Sequence, residues 1–234
     1  MLKKFILFIF ISSLTVSLAF GTTTVEADKL FYEGKKLYKQ QKYNEAIKKF
    51  CSAIEIEKKL GSSRKPDLGY SYSWLGLAYK NAEHYEKALE SFNKALAIEK
   101  ELGREGDIAI NLNNIALVYD RLGNYEKAIK YYKMALAIDE KLAMNANIAT
   151  DLNRIGFAYK NWQKYDKAIE YFDKALARAK GLGQKEKTGI ALNNIGSAYK
   201  DWQNYTKAID YFKKALAIDE ELGNEAYIAM DYNN

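Results

Sequence analysis

The chain has 234 residues, 48% hydrophobic and 28% charged, with a formal net charge of +6, one histidine, one cysteine and one proline. A chain of this length at typical usage would carry about a dozen prolines, so their near-absence favours long helices joined by short turns. A lone histidine and a lone cysteine exclude a multi-histidine metal site and an intrachain disulfide, and leave little from which to build a nucleophilic triad.

The first residues stand apart. Met1-Leu2-Lys3-Lys4 is basic, Phe5 to Phe20 is apolar, and Ala19-Phe20-Gly21 offers small residues where a signal peptidase reads. Residues 1–21 have the form of a secretory signal. An uncleaved membrane anchor is the alternative, since the run is only slightly short of a span. In both cases Lys3 and Lys4 stay inside, and the rest of the chain is expected outside the cytoplasm, periplasmic or extracellular, in a bacterial envelope setting. Cys51 is not at the cleavage position, so a lipoprotein signal is not expected. Residues 22–26 read as a short linker.

From residue 27 the sequence repeats. Tyr85, Tyr125, Tyr165 and Tyr205 are each forty apart, as are Ala88, Ala128, Ala168 and Ala208. A fixed period of this size marks a solenoid, in which each unit buries its apolar face only against its neighbours. The repeats run over about 27–61, 69–103, 109–143, 149–183 and 189–223, with a partial sixth at 229–234. Gly34 and Gly76 are 42 apart, and the two extra residues fall near Gly61 to Pro66, which reads as the one mobile loop.

Within 189–223, Leu192, Ile195, Gly196 and Tyr199 share one stripe of a first helix. Trp202-Gln203-Asn204 is a turn. A second helix is expected to bury Tyr205, Ala208, Ile209, Phe212, Ala215 and Leu216. Gly196 and Ala208 would let the two helices approach. Asn124 and Asn204 sit where an N-cap is wanted, and Glu86, Glu126 and Asp166 suit the helix dipole. Ala143 stands where other repeats close on glycine and is expected to lengthen its helix slightly. The sequence ends inside the first helix of the sixth repeat, as expected of a fragment of a longer protein.

The pattern Leu192, Ile195-Gly196, Tyr199, Tyr205, Ala208, Phe212, Ala215 resembles the tetratricopeptide repeat. The forty-residue period and the closing Leu-Gly (Leu102-Gly103, Leu182-Gly183, Leu222-Gly223) resemble the long-repeat subgroup that includes kinesin light chains and G-protein-signalling modulators. The resemblance implies an all-α fold, a right-handed α-solenoid of antiparallel helix pairs, with the first helices lining a concave groove. Five near-identical repeats without a catalytic constellation are expected to form a binding scaffold without cofactor. The usual proline at the end of the second helix is replaced by Lys100, Glu140, Lys180 and Glu220, so that helix should run on to the Leu-Gly.

No catalytic constellation emerges. His84 falls in a turn, and Cys51 beside Phe50 reads as a partly buried small residue. Carboxylates such as Asp139-Glu140 and Asp219-Glu220-Glu221 recur at the repeat period and read as a solvated face. Charges of both signs are interleaved, without the basic stripe that nucleic-acid binding needs. The candidate site is instead the non-core side of the first helices: Trp74 and Leu77, then Asn113, Asn114 and Leu117, then Asn153, Arg154 and Phe157, then Asn193 and Asn194. Lys80, Arg121, Lys160 and Lys200 are read as one further row. Asn113, Asn153 and Asn193 recur at one position, and an amide both donates and accepts, which suits a peptide backbone. Equally, a repeated asparagine can be a duplicated bond between repeats. Arg154 would take a carboxylate, and Trp74, Leu77, Leu117 and Phe157 would take apolar side chains. A chaperone-tail clamp is not expected, because Leu117, Phe157 and Ser197 stand where its asparagine belongs. Trp162 and Trp202 are expected to pack under the turns. The expected function is an exported scaffold binding a peptide or protein segment. Self-association within an envelope assembly, or an input domain of a longer protein, are the alternatives.

Overall fold

The computed structural model describes residues 23–224. The expectations for residues 1–21, for residue 22 of the linker and for the partial sixth repeat lie outside the described residues. Helix α1 covers 23–39. Then follow α2 (Tyr43–Leu60), a 3-10 turn (Gly61–Arg64), α3 (Lys65–Asn81), α4 (Tyr85–Leu102), α5 (Glu105–Arg121), α6 (Tyr125–Lys141), α7 (Asn145–Asn161), α8 (Tyr165–Gly181), α9 (Lys185–Asp201) and α10 (Tyr205–Leu222). The fold is all-α, built from consecutive packed helices, and no strand occurs among the described residues. None of the described helices is long and apolar enough to cross a membrane. The chain divides into two compact units, residues 1–114 and 115–234, with the division inside α5.

In the first unit, Phe50 is fully buried among Ala46, Ile54, Leu75 and Ala78, with Phe31, Tyr38 and Trp74 packed around them. A side chain at Gly34 would strike the Phe50 ring, with a Cβ 2.7 Å from Cε1. Gly76 stands in the same relation to Phe92, at 2.6 Å. In the second unit Gly156 meets Phe172 and Gly196 meets Phe212. In the third repeat the glycine position is Ala116 and the ring is Tyr132, both buried in one core with Ile155, Phe172 and Ile195. The stripe read from the sequence is thus the packing surface, and the glycine is there to admit the ring.

The turns follow from the ends of the helices. Between first and second helices, Gln41, Glu83, Gln163 and Gln203 hold φ near +60°, and Gly123 holds +72° at the equivalent place. Asn124 and Asn204 accept from the backbone N–H of Lys127 and Lys207, at 3.2 and 3.3 Å, as N-caps do. The connections between repeats are short. Helices α3, α5, α7 and α9 begin at Lys65, Glu105, Asn145 and Lys185, four residues before the repeat starts drawn from the sequence. The second helices do run on to, or close to, the Leu-Gly pairs.

Four expectations are corrected. Ala143 does not lengthen its helix: α6 ends at Lys141, and Ala143 takes φ +52°, doing the work of the glycine it replaces. Gly61 to Pro66 is not an open loop but a 3-10 turn running into α3, with Pro66 in the helix's first turn, where its missing N–H costs nothing, and with Arg64 paired to Asp28 and Asp67. Tyr205 is exposed and Ile209 is 54% exposed, whereas Ile129 and Ile169 at the equivalent position are buried. Asp139 and Asp219 are buried rather than solvated. The end of each second helix folds against the start of its partner, where Gly189 leaves room: a Cβ there would lie 3.0 Å from Asp219 Oδ1.

Candidate protein-binding face

In the first unit the face is carried by α1, α3 and the start of α5. Trp74 packs edge-on to Tyr38 at 5.4 Å between centroids and tilted against Phe50 at 6.3 Å. Leu77 is half-buried beside it. Asn113 and Asn114 are half-buried on α5. The helices are tied by polar rungs. Ser73 Oγ donates to Asn111 Oδ1 at 2.9 Å, and Asn111 Nδ2 donates to the Asp107 carbonyl at 2.9 Å. Ser71 Oγ donates to Glu57 at 3.0 Å, and burial lifts the Glu57 carboxyl to about 6. Arg104 pairs with Glu99 at 2.6 Å and lies over the exposed Tyr70 ring at 4.8 Å. Burial raises Glu99 as well, against the opposing pull of Arg104.

In the second unit the face is carried by the rest of α5, α7 and α9. Arg154 is 44% exposed in its side chain, and its Nη1 lies 3.3 Å from the buried Asp151 carboxylate. Phe157 is 39% exposed and meets Phe172 edge-on at 5.1 Å. Leu117 is half-buried. Asn194 Nδ2 donates to Asn153 Oδ1 at 3.1 Å, so these amides join neighbouring repeats. Asn193 is only 6% exposed, against the half-buried Asn113 and Asn153. Lys160 reaches Ser197 Oγ at 2.9 Å and Asp201 at 3.0 Å.

The row Lys80, Arg121, Lys160, Lys200 needs a correction. In the forty-residue register the second member is Asp120, and Arg121 is one residue beyond it. Asp120 is raised by burial and accepts from Asn161 Nδ2 at 3.4 Å. Trp162 is half-buried and stacks on Tyr159. Trp202 is exposed, lying against Tyr199 and Tyr165 with both centroids at 6.3 Å. Cys51 is half-buried, and its thiol is pushed up by burial. His84 is exposed at its turn.

Two features are not evident from the repeat pattern alone. One is the buried polar position Glu57, Glu99, Asp139, Asp219 at the ends of the second helices. The other is the share of the first repeat. Aligning Gly34 with Gly76 places Phe31, Tyr32 and Lys35 at the positions of Ser73, Trp74 and Leu77. That signal was available in the 42-residue offset.

A family model described as tetratricopeptide repeat matches residues 71–141 and 147–221. Solved structures share the fold. BtubC (BKLC) from P. vanneervenii is 24% identical, with 88% of this chain and 91% of that chain covered at a TM-score of 0.72. A putative kinesin light chain with nearly identical TPR-like repeats from Podosopora anserina is 16% identical, with 86% and 98% covered at 0.75. A Rap protein complexed with Competence and Sporulation Factor is 18% identical, with 88% of this chain and 57% of that chain covered at 0.67. A search of curated proteins gives no match.

Proposed function

We propose that this chain, which belongs to the tetratricopeptide repeat family, is a non-enzymatic scaffold holding a peptide or protein segment against the exposed side of its first helices. The observation that carries this reading is the pair Arg154 and Phe157 on α7. A cationic fork and an aromatic ring stand exposed one turn apart, while Asp151 and Phe172 behind them fix their positions. Binding on a surface already held in place costs less ordering entropy. The structurally similar Rap protein is complexed with Competence and Sporulation Factor, which is in keeping with this use of the fold. Asn153 keeps its Nδ2 donors for a backbone carbonyl while its oxygen serves Asn194. Residues 1–21 support export of the scaffold, which N-terminal sequencing of the protein recovered outside the cytoplasm would test.

The test of binding is capture from extract by the full chain and by an Arg154→Ala/Phe157→Ala variant of unchanged helicity. A protein retained by the first and lost by the second supports the reading; equal retention by both moves binding off this face. A second reading, self-association, draws on the exposed Trp202, Tyr205 and Ile209 of the last described helix pair. Light scattering across concentrations tests it, and a strict monomer would count against it.

A further inference from the structure

Lys35 occupies an unusual setting. Its ammonium lies 4.8 Å from the centroid of Trp74, 5.6 Å from Phe31 and 5.8 Å from Tyr32. Ring faces attract a cation and strip water from it without neutralising its charge. Two arginines of this unit have carboxylate partners: Arg64 pairs with Asp28 and Asp67, and Arg104 with Glu99 and Asp107. Lys35 has no ion pair among the described residues. The acid on its own face of α1, Asp28, is already held by Arg64. In the repeat register Lys35 stands at the position of Leu77 and Phe157, on the proposed binding face. The frame is fixed from behind, because Trp74 is wedged against Tyr38 and Phe50. Its outer ring is open: Tyr32 is 66% exposed.

Resting on the reading of this face as a binding surface, we infer that Lys35, framed by Phe31, Tyr32 and Trp74, receives an Asp or Glu carboxylate of an acidic protein segment. An apolar side chain next to that acid lies on the Tyr32 ring. Charge complementarity selects this occupant. A carboxylate supplies the missing counter-charge to the half-buried Lys35, and a charge-assisted bond there forms beside three aromatic rings rather than in open water. A nucleic-acid backbone would demand several such cations in a row, and charges of both signs are interleaved along this chain.

Selection of displayed random peptides on the purified full chain tests this. The best peptide, synthesised with blocked ends, is then titrated against wild type, Lys35→Gln and Lys35→Arg, with helicity checked for each. The selected peptides are expected to be enriched in Asp or Glu beside an aliphatic or aromatic residue. Lys35→Gln should weaken binding about tenfold or more and flatten its salt dependence, while Lys35→Arg retains it. Changing the peptide's acid to its amide should cost as much in wild type and nothing further in Lys35→Gln. Peptides without acid enrichment, or bound equally by Lys35→Gln, overturn the inference. If such peptides are still lost in Arg154→Ala/Phe157→Ala, the binding-face reading survives that result. Selection of no peptide at all overturns both.

Discussion

The ring of Phe172 occupies the space that a side chain at residue 156 would need. A Cβ built on Gly156 would lie 2.5 Å from Phe172 Cε1, and 2.6 Å from Cδ1. The ring is fully buried and braced by Phe157 on the outer side, so it has little room to yield. Gly156→Ala is therefore expected to destabilise the second unit by about 1–3 kcal/mol, the usual cost of overpacking. Thermal unfolding followed by circular dichroism reads this. An unchanged midpoint would mean the ring moves freely.

Ala143 makes the opposite prediction. Its φ of +52° strains an L side chain, and the bond from Met144 N–H to the Asp139 carbonyl at 2.9 Å shows that the turn closes regardless. Ala143→Gly should stabilise by about 1 kcal/mol, and Gly183→Ala, at φ +65°, should destabilise by a similar amount. Chemical denaturation of both variants measures the pair. Loss of stability on Ala143→Gly would contradict the strain.

The asparagine caps are separable from packing. Asn204 accepts from Lys207 N–H, whereas Lys164 at the equivalent place makes no side-chain cap. Asn204→Ala should cost about 0.5–2 kcal/mol, and Lys164→Asn should gain about 1 kcal/mol. Equal stability of Lys164→Asn and wild type would count against a capping role at that turn.

Glu57 gives a pH dependence with a definite sign. Burial raises its folded carboxyl to about 6 from 4.5, against the lowering pull of Ser71 and Arg64. A raised acid binds its proton more tightly when folded, so its contribution is complete below pH 4.5 and is lost as pH rises through 6. The shift amounts to about 2 kcal/mol. Glu57→Gln keeps an acceptor for Ser71 and should flatten the fall in stability of the first unit between these two values. An unaltered slope would show that other groups set it.

The core was legible because each of its contacts recurs. Gly196 and Phe212 repeat Gly156 and Phe172, and a stripe that returns every forty residues announces its own burial. Asp139 and Asp219 were misread for a related reason. A carboxylate near a helix end looks solvated in sequence, and only the return of the second helix onto its partner buries it. The face was legible in part. Arg154 and Phe157 stand exposed, but the amides also serve neighbouring repeats, as Asn194 and Asn153 show. Lys35 is not legible from its own repeat, where the register is offset by 42 rather than 40. Its frame combines α1 with α3, a long-range relation that helical spacing alone does not reveal.

The central claim is that the first helices, and not the second, present the binding surface. The most direct test places a photo-cross-linking phenylalanine at position 157 on α7 and, separately, at the exposed position 213 on α10, in the full chain exposed to extract or to a selected peptide. Adducts from position 157 with none from position 213 are predicted. Adducts from position 213 with none from position 157 would contradict the account.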